Sequence, residues 1–218
     1  MTHRIKILHK EKLNHNVIQF RFEKPEGFSF VAGQATELTL DAPKQMGPSP
    51  FTFTCLNTKP YLELTTKIYY ERHGLTSLLA EKQVGESVII TDPWDSFVNK
   101  GPGIFIAGGA GITPFLAILR QLKVDNNIGN SYLFFSNKTG KDIFLKDELT
   151  SLLGKRYINI LTQDPSAKKE RLNEEFFTKH ISNFDQPFYL CGPPGFAESI
   201  QKDLTKLGAK QDLVVVSF

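Results

Sequence analysis

The chain reads as two units built on different patterns: an antiparallel β unit, then an α/β unit with a five-stranded parallel sheet. Up to about residue 92, short alternating strand candidates follow one another with turn signals between them. After Asp92-Pro93, apolar strand candidates alternate with helix candidates, which argues for a parallel sheet with helices on its faces. The stretch GIFIAGGAGITPFLAIL (103–119) adds a third signal, with an apolar run, a glycine turn and a helical pattern in immediate succession.

In the first unit, residues 3–8 and 15–23 read as strands. Val17, Ile18, Phe20 and Phe22 are interleaved with Gln19, Arg21 and Glu23, and His15-Asn16 marks the turn before them. KPEG (24–27) is a turn, and FSFVAGQATELTL (28–40) is a glycine-marked turn leading into another alternating strand. Further strands fall at 51–56, 61–69 and 87–91, and HGLTSLLAEKQ (73–83) is a helical interruption. This spacing suggests a closed barrel or a sandwich. In the second unit, strand candidates at 103–107, 131–135, 157–161, 187–190 and 213–216 alternate with helix candidates at 114–123, 145–152, 173–180 and 195–207. The loop DSFVNKGP (95–102) carries the boundary, giving domains 1–98 and 99–218.

With 218 residues the chain is long enough for two small domains with real cores. A balance of 26 basic and 23 acidic residues argues against nucleic acid or an anionic membrane as the main partner. Two cysteines, Cys55 and Cys191, exclude a disulfide framework and a four-thiolate iron–sulfur cluster within these residues. The five histidines are scattered, so no metal site is expected. No segment has the length of a membrane span, and the N-terminal residues lack an apolar signal region, so a cytoplasmic protein is expected.

Five stretches carry chemistry. In GGAGITP, Gly109, Ala110, Gly111 and Ile112 precede Thr113, placed to cap the helix, and Pro114, suited to its first turn. Such a turn places backbone N–H groups and a helix N-terminus before a phosphate, although a tight strand–helix connection reads the same way. YLCGPPGF (189–196) is a second glycine-bearing strand end in the same sheet, and ligands of open parallel sheets gather at that edge. SPFTFTC (49–55) puts Phe51 and Phe53 on one strand face, Thr52 and Thr54 on the other. HGLTSLL (73–79) offers Gly74, Thr76 and Ser77 at a helix start, as an anion site or a plain cap. Ser136, Asn137 and Lys138 follow the second parallel strand, where such sheets read an adenosine ribose; Lys138 there pairs with a 2′-phosphate or is simply solvated. There is neither a nucleophile elbow nor a Walker lysine.

In this order and spacing the five stretches resemble the ferredoxin–NADP⁺ reductase superfamily, in particular its short flavodoxin/ferredoxin reductase-like members without an iron–sulfur domain. The resemblance covers essentially the whole chain. It implies a six-stranded antiparallel β-barrel of Greek-key type that binds flavin, followed by the nicotinamide-binding α/β domain. Residue by residue, Phe51, Thr52 and Phe53 resemble the flavin motif, with the Phe51 ring packed on the isoalloxazine and the Thr52 hydroxyl near N5. Thr66, Lys67 and Ile68 match flavin contacts on the next strand. Gly74, Leu75, Thr76 and Ser77 match the flavin pyrophosphate site. Gly109 to Pro114 match the nicotinamide pyrophosphate turn. Cys191, Gly192, Pro193 and Pro194 match the motif beside the nicotinamide. Phe218 matches an aromatic near the flavin face. Thr52, Cys191 and Phe218 are thus the expected catalytic positions.

Two positions depart from the pattern: Ser49 stands where an arginine usually binds flavin phosphate, and Val216-Ser217 replace an acid usual before the terminal aromatic. Lys67 or the helix start at Thr76 is then expected to compensate the phosphate charge, and Arg171 to assist Lys138. The resemblance implies FAD in preference to FMN, NADPH in preference to NADH, and a flavodoxin- or ferredoxin-like acceptor. A reductase component of an oxygenase, a free-flavin or ferric reductase, and a non-catalytic flavin-binding subunit are the alternatives.

Overall fold

The computed structural model describes residues 1–40, 47–166 and 170–217. Its first sheet contains β1 (Thr2–Lys12), β2 (Val17–Glu23), β3 (Gln34–Leu40), β4 (Ser49–Thr52), β5 (Tyr61–Lys67) and β6 (Ser87–Thr91). The order is β4-β3-β6-β1-β2-β5, antiparallel at every pairing. A Phe53–Leu64 bridge joins the two edges, so the sheet is a nearly closed six-stranded barrel. A two-residue β7 (Trp94–Asp95) adds to β3. Alternation explains the interior: Ile5 and Ile7 of β1, Phe20 and Phe22 of β2 and Leu62 and Leu64 of β5 all point into one buried core. Helix α1 (Leu75–Glu81) interrupts the strands where expected and seats Leu75 and Leu79 on that core.

The second sheet is parallel: β8 (Ile104–Gly108), β9 (Tyr132–Asn137), β10 (Tyr157–Leu161), β11 (Phe188–Cys191) and β12 (Val214–Ser217), in the order β10-β9-β8-β11-β12. Odd and even positions of β8 serve different layers. Phe105 and Ala107 pack with α2 (Thr113–Val124) and α3 (Lys146–Leu153). Ile104 and Ile106 pack with α4 (Glu174–His180) and α5 (Pro194–Lys206). The order in which strands are added reverses between β8 and β11, whose C-terminal ends both open into glycine turns. That is the switch point at which open α/β sheets bind ligands.

Several expected bounds shift. The first strand runs to Lys12, well beyond residue 8. The turn before β3 is as expected, and its Phe28 and Phe30 pack into the barrel core. The alternation expected along 17–23 also fails in burial: Val17 packs in the α/β core, and Gln19 is only 5% exposed. The α/β unit covers that side of the barrel. The segment between the sheets is held as well, because Phe97 packs edge-on against Phe115, ring centres 5.3 Å apart. Its backbone N–H donates to the Gly33 carbonyl. Gly33 has φ +102°, and a Cβ there would lie 2.4 Å from the Phe97 carbonyl oxygen.

Candidate functional site

Between the barrel and the parallel sheet lies a cleft of about 1120 Å³. Lys67 and Ile68 enter it from the barrel, Gly108–Gly111 and Cys191–Pro193 from the switch point, and Ser136–Lys138 from the end of β9. Three of the five expected stretches thus reach one crevice. The SPFT strand does not line it; its Thr52 hydroxyl donates to the Thr113 hydroxyl, just past the turn, at 3.2 Å.

The glycines of the turn have separate jobs. Gly109 has φ +55°, and a Cβ built there meets nothing within 4 Å, so the backbone faces open space. A Cβ on Gly111 would sit 2.2 Å from the Cys191 carbonyl oxygen, so this glycine lets the turn lie against the end of β11. Thr113 does not cap α2. A single 3₁₀ turn, Gly109–Ile112, leads into the helix, and the Thr113 hydroxyl donates back to the Ala110 carbonyl at 3.0 Å. Ile112 is fully buried in the core.

On the flavin side, several of the expected residues are buried or already paired. Phe53 is 1% exposed and stacks on Phe30 with ring centres 4.3 Å apart, so it is barrel core and offers no face to a cofactor. Phe51 is 9% exposed and belongs to the same core, leaving its ring little surface to share with a flat ligand. Thr66 is buried as well. Lys67 is not a free cation: its ammonium lies 3.5 Å from Asp142. Burial works against that carboxylate, but the Thr139 hydroxyl and amide, with Lys67 and His15, hold it below the usual carboxylate range. The Ser77 hydroxyl donates to the Gly74 carbonyl at 2.8 Å, and the Thr76 hydroxyl accepts from the Tyr69 amide at 3.5 Å; Gly74 is the N-cap residue and Leu75 is buried. These four residues do not line the cleft, whereas the turn before them, Tyr69–Arg72, does. Arg72 there is exposed, its guanidinium 4.8 Å from the centre of the Tyr69 ring.

Cys191 faces the cleft as a thiol. Burial pushes it up to about 12, so it supplies no thiolate near neutral pH. Phe218 lies outside the described residues. Ser136 borders a side cavity of about 290 Å³ together with Thr162, Arg171, Phe196 and Ser199, so the loop carrying Arg171 does fold back toward the end of β9. Lys138 is exposed on the main cleft. Sequence reasoning missed Asn16, Tyr69, Tyr70, Asp142 and Phe196 as lining residues. The Phe196 signal was legible in part, since a Cβ at Gly192 or Gly108 would meet its ring at 2.6 or 3.1 Å.

Two buried side-chain atoms are without a hydrogen-bond partner among the described residues, Asn16 Oδ1 and Asn137 Nδ2, and both residues line the cleft. An orphaned acceptor and donor, with the open face of Gly109, suit a polar ligand that brings its own donors and acceptors. No group of three or more His, Cys, Asp or Glu able to hold a metal occurs among the described residues. Among them, too, no helix is long and apolar enough to cross a membrane.

Barrel, parallel sheet and a crevice at the switch point define the class: a two-cofactor oxidoreductase scaffold. Comparison with known proteins agrees. The family model for the oxidoreductase NAD-binding domain matches residues 105–202. NADH-cytochrome b5 reductase 2 of Coccidioides immitis (strain RS) is 31% identical over 225 residues, covering 90% of this chain and 67% of that protein. The reductase component of propane 2-monooxygenase from Rhodococcus jostii (strain RHA1) is 24% identical over 230 residues, covering 97% of this chain and 62% of that protein. Among solved structures, a ferredoxin NADP⁺ reductase from Neisseria gonorrhoeae superposes with a TM-score of 0.83 at 19% identity, covering 97% of this chain and 95% of that one. The chain belongs to the ferredoxin–NADP⁺ reductase superfamily, flavoprotein oxidoreductases that use a nicotinamide dinucleotide.

Proposed function

We propose that this protein is an NAD(P)H reductase that passes electrons, by way of a flavin, to a small redox protein of the flavodoxin or ferredoxin type. The barrel, residues 1–98, would hold FAD, and residues 99–218 the nicotinamide dinucleotide. When bound, the flavin supplies hydride acceptance and its division into single electrons. The chain's part is binding, orientation and exclusion of water. The observation that carries the reading is the convergence of the Gly109 turn, the Cys191–Pro193 turn and the unpartnered Asn137 amide on one cleft.

On the flavin side, the Thr52 hydroxyl would face the reacting ring, and Arg72 would supply the cation that Ser49 does not. On the nicotinamide side, Gly109–Thr113 would present backbone N–H groups to the pyrophosphate. Cys191, held as a neutral thiol, would shape the nicotinamide pocket. NADPH is favoured over NADH because Lys138 and Arg171 both stand near Ser136 at the end of β9, where a 2′-phosphate would lie. A second reading, the reductase component of an oxygenase, is favoured by the similarity to the propane 2-monooxygenase reductase.

The test is direct. Purified protein is titrated with FAD and FMN while its visible spectrum is followed, then assayed with NADH and NADPH against flavodoxin, ferredoxin, cytochrome b5 and ferricyanide. No flavin binding overturns the reading. Bound flavin that neither nicotinamide reduces favours a binding subunit. Lys138→Ala with an unchanged NADPH-to-NADH ratio refutes the assignment of Lys138.

A further inference from the structure

A second opening between the barrel and the parallel sheet, about 510 Å³, shares no lining residue with the cleft. At its floor lies an ion network that the proposed reaction does not use. Glu63 of β5, its side chain 4% exposed, accepts from Arg21 Nε at 3.2 Å, Arg120 Nη1 at 2.9 Å and the Thr54 hydroxyl at 3.1 Å. Arg120 of α2 also donates through Nε and Nη2 to both oxygens of Glu148 on α3, at 2.6 and 2.8 Å, and through Nη1 to the Thr54 carbonyl. Burial opposes the guanidinium charge, and the Glu148 and Glu63 carboxylates outweigh it, so the group stays firmly protonated.

The location matters more than the strength. Arg120 lies seven residues, or two turns, after Thr113 on the same helix, about 10 Å along its axis. Thr54 lies two residues after Thr52. One short barrel segment, 52–54, therefore holds α2 twice: by a hydroxyl pair beside the glycine turn and by the Thr54 carbonyl, which accepts from Arg120 two turns on. The charge-assisted contact is the stronger of the two, and its acceptor residue, Thr54, is fully buried.

We infer that Arg120, seated on Glu63 and Glu148, is a positioning residue that sets the gap between Thr52 and the Thr113 end of α2, and hence the spacing of the two cofactor faces. This rests on the flavin-and-nicotinamide reading above. Loss of the fork leaves α2 free to tilt about its packed face, and a small shift at its N-terminus suffices to spoil hydride distance.

The test uses the full chain with Arg120→Met and Arg120→Lys. In cofactor-free protein, amide hydrogen exchange over 109–116 is expected to rise at least about fivefold in Arg120→Met, with Arg120→Lys intermediate. With FAD and saturating NADPH, single-turnover flavin bleaching is expected to slow by about 10- to 100-fold, while both dissociation constants stay within about twofold. Wild-type exchange together with a wild-type bleaching rate overturns the inference. So does a loss confined to flavin affinity or melting temperature. If Arg120→Met does not fold, Glu148→Gln, which weakens the fork but keeps its shape, must move both readouts in the same direction, and its failure to do so overturns the inference. A wild-type protein that binds no flavin sinks the proposed function, and the exchange measurement then decides whether Arg120 holds the helix start.

Discussion

The barrel and the α/β unit meet along two seams of opposite character. At the second opening every polar group of the Glu63–Arg120–Glu148 network is paired, and Glu63 is almost fully enclosed. At the cleft, Asn16 Oδ1 and Asn137 Nδ2 are buried without partners, and Gly109 turns an open backbone outward. Burying an unpaired polar atom costs stability, so natural chains tolerate it mainly where a ligand completes the set. The difference separates structural contact from binding surface within a single interface. The buried charged cluster lies outside the cleft and would serve it only through the helix that it holds.

The comparison can be broken at either seam. Glu63→Ala removes the buried carboxylate shared by Arg120 and Arg21 and leaves a void in its place. Removing one partner of a buried pair costs about 3–5 kcal/mol, to be read from the urea midpoint. A loss under about 1 kcal/mol would show that the second seam is not a lock.

Gly111→Ala tests the cleft's frame. Its methyl would collide with the Cys191 carbonyl at 2.2 Å, where the 3₁₀ turn abuts the end of β11. A loss of roughly 2–3 kcal/mol is expected from backbone displacement. Gly109→Ala meets no neighbour, so its smaller cost comes from the positive φ alone.

Alkaline pH probes the cysteines on the two sides. Cys191 is raised from 9.0 to about 12 by burial, and Cys55 from 9.0 to about 11 by burial and the Glu63 charge. A raised folded value means that the folded chain keeps the proton longer than the unfolded chain does. The stabilisation is therefore full below pH 9 and is lost as pH climbs toward the folded value. The stability of wild type relative to Cys191→Ala should shrink by about 1.4 kcal/mol between pH 8 and 10, measured by urea unfolding at each pH. A constant difference would mean that the thiol is open to water.

The smallest effect on stability belongs to Asn137→Ala. The orphaned amide contributes little to folding, so the midpoint should move by less than about 1 kcal/mol. Affinity for the nicotinamide dinucleotide, followed by fluorescence titration, should fall about five- to tenfold. Unchanged affinity would mean that Asn137 does not point at the ligand.

Much of this molecule is written in local pattern. Alternation in β1 and β5, the apolar run of β8 and the period of α2 follow from side-chain geometry that needs only near neighbours. Hence the two units, their order and the glycine turns at 108–111 and 191–193 are legible from the residues alone. Phe51 and Phe53 show the limit. A strand's two faces can be told apart in sequence, but which face looks into the barrel depends on closure by the Phe53–Leu64 bridge.

Lys67 shows the same limit for charge: it reads as a free cation until Asp142, 75 residues on, is brought to 3.5 Å. Gln19 reads as surface until the second unit covers it. The sequence by itself determined element type, the change from barrel to parallel sheet and the backbone freedom of its turns. The tertiary structure alone decided which polar groups are spent on each other and which are left for a ligand, because hydrogen-bond satisfaction is a property of neighbours in space.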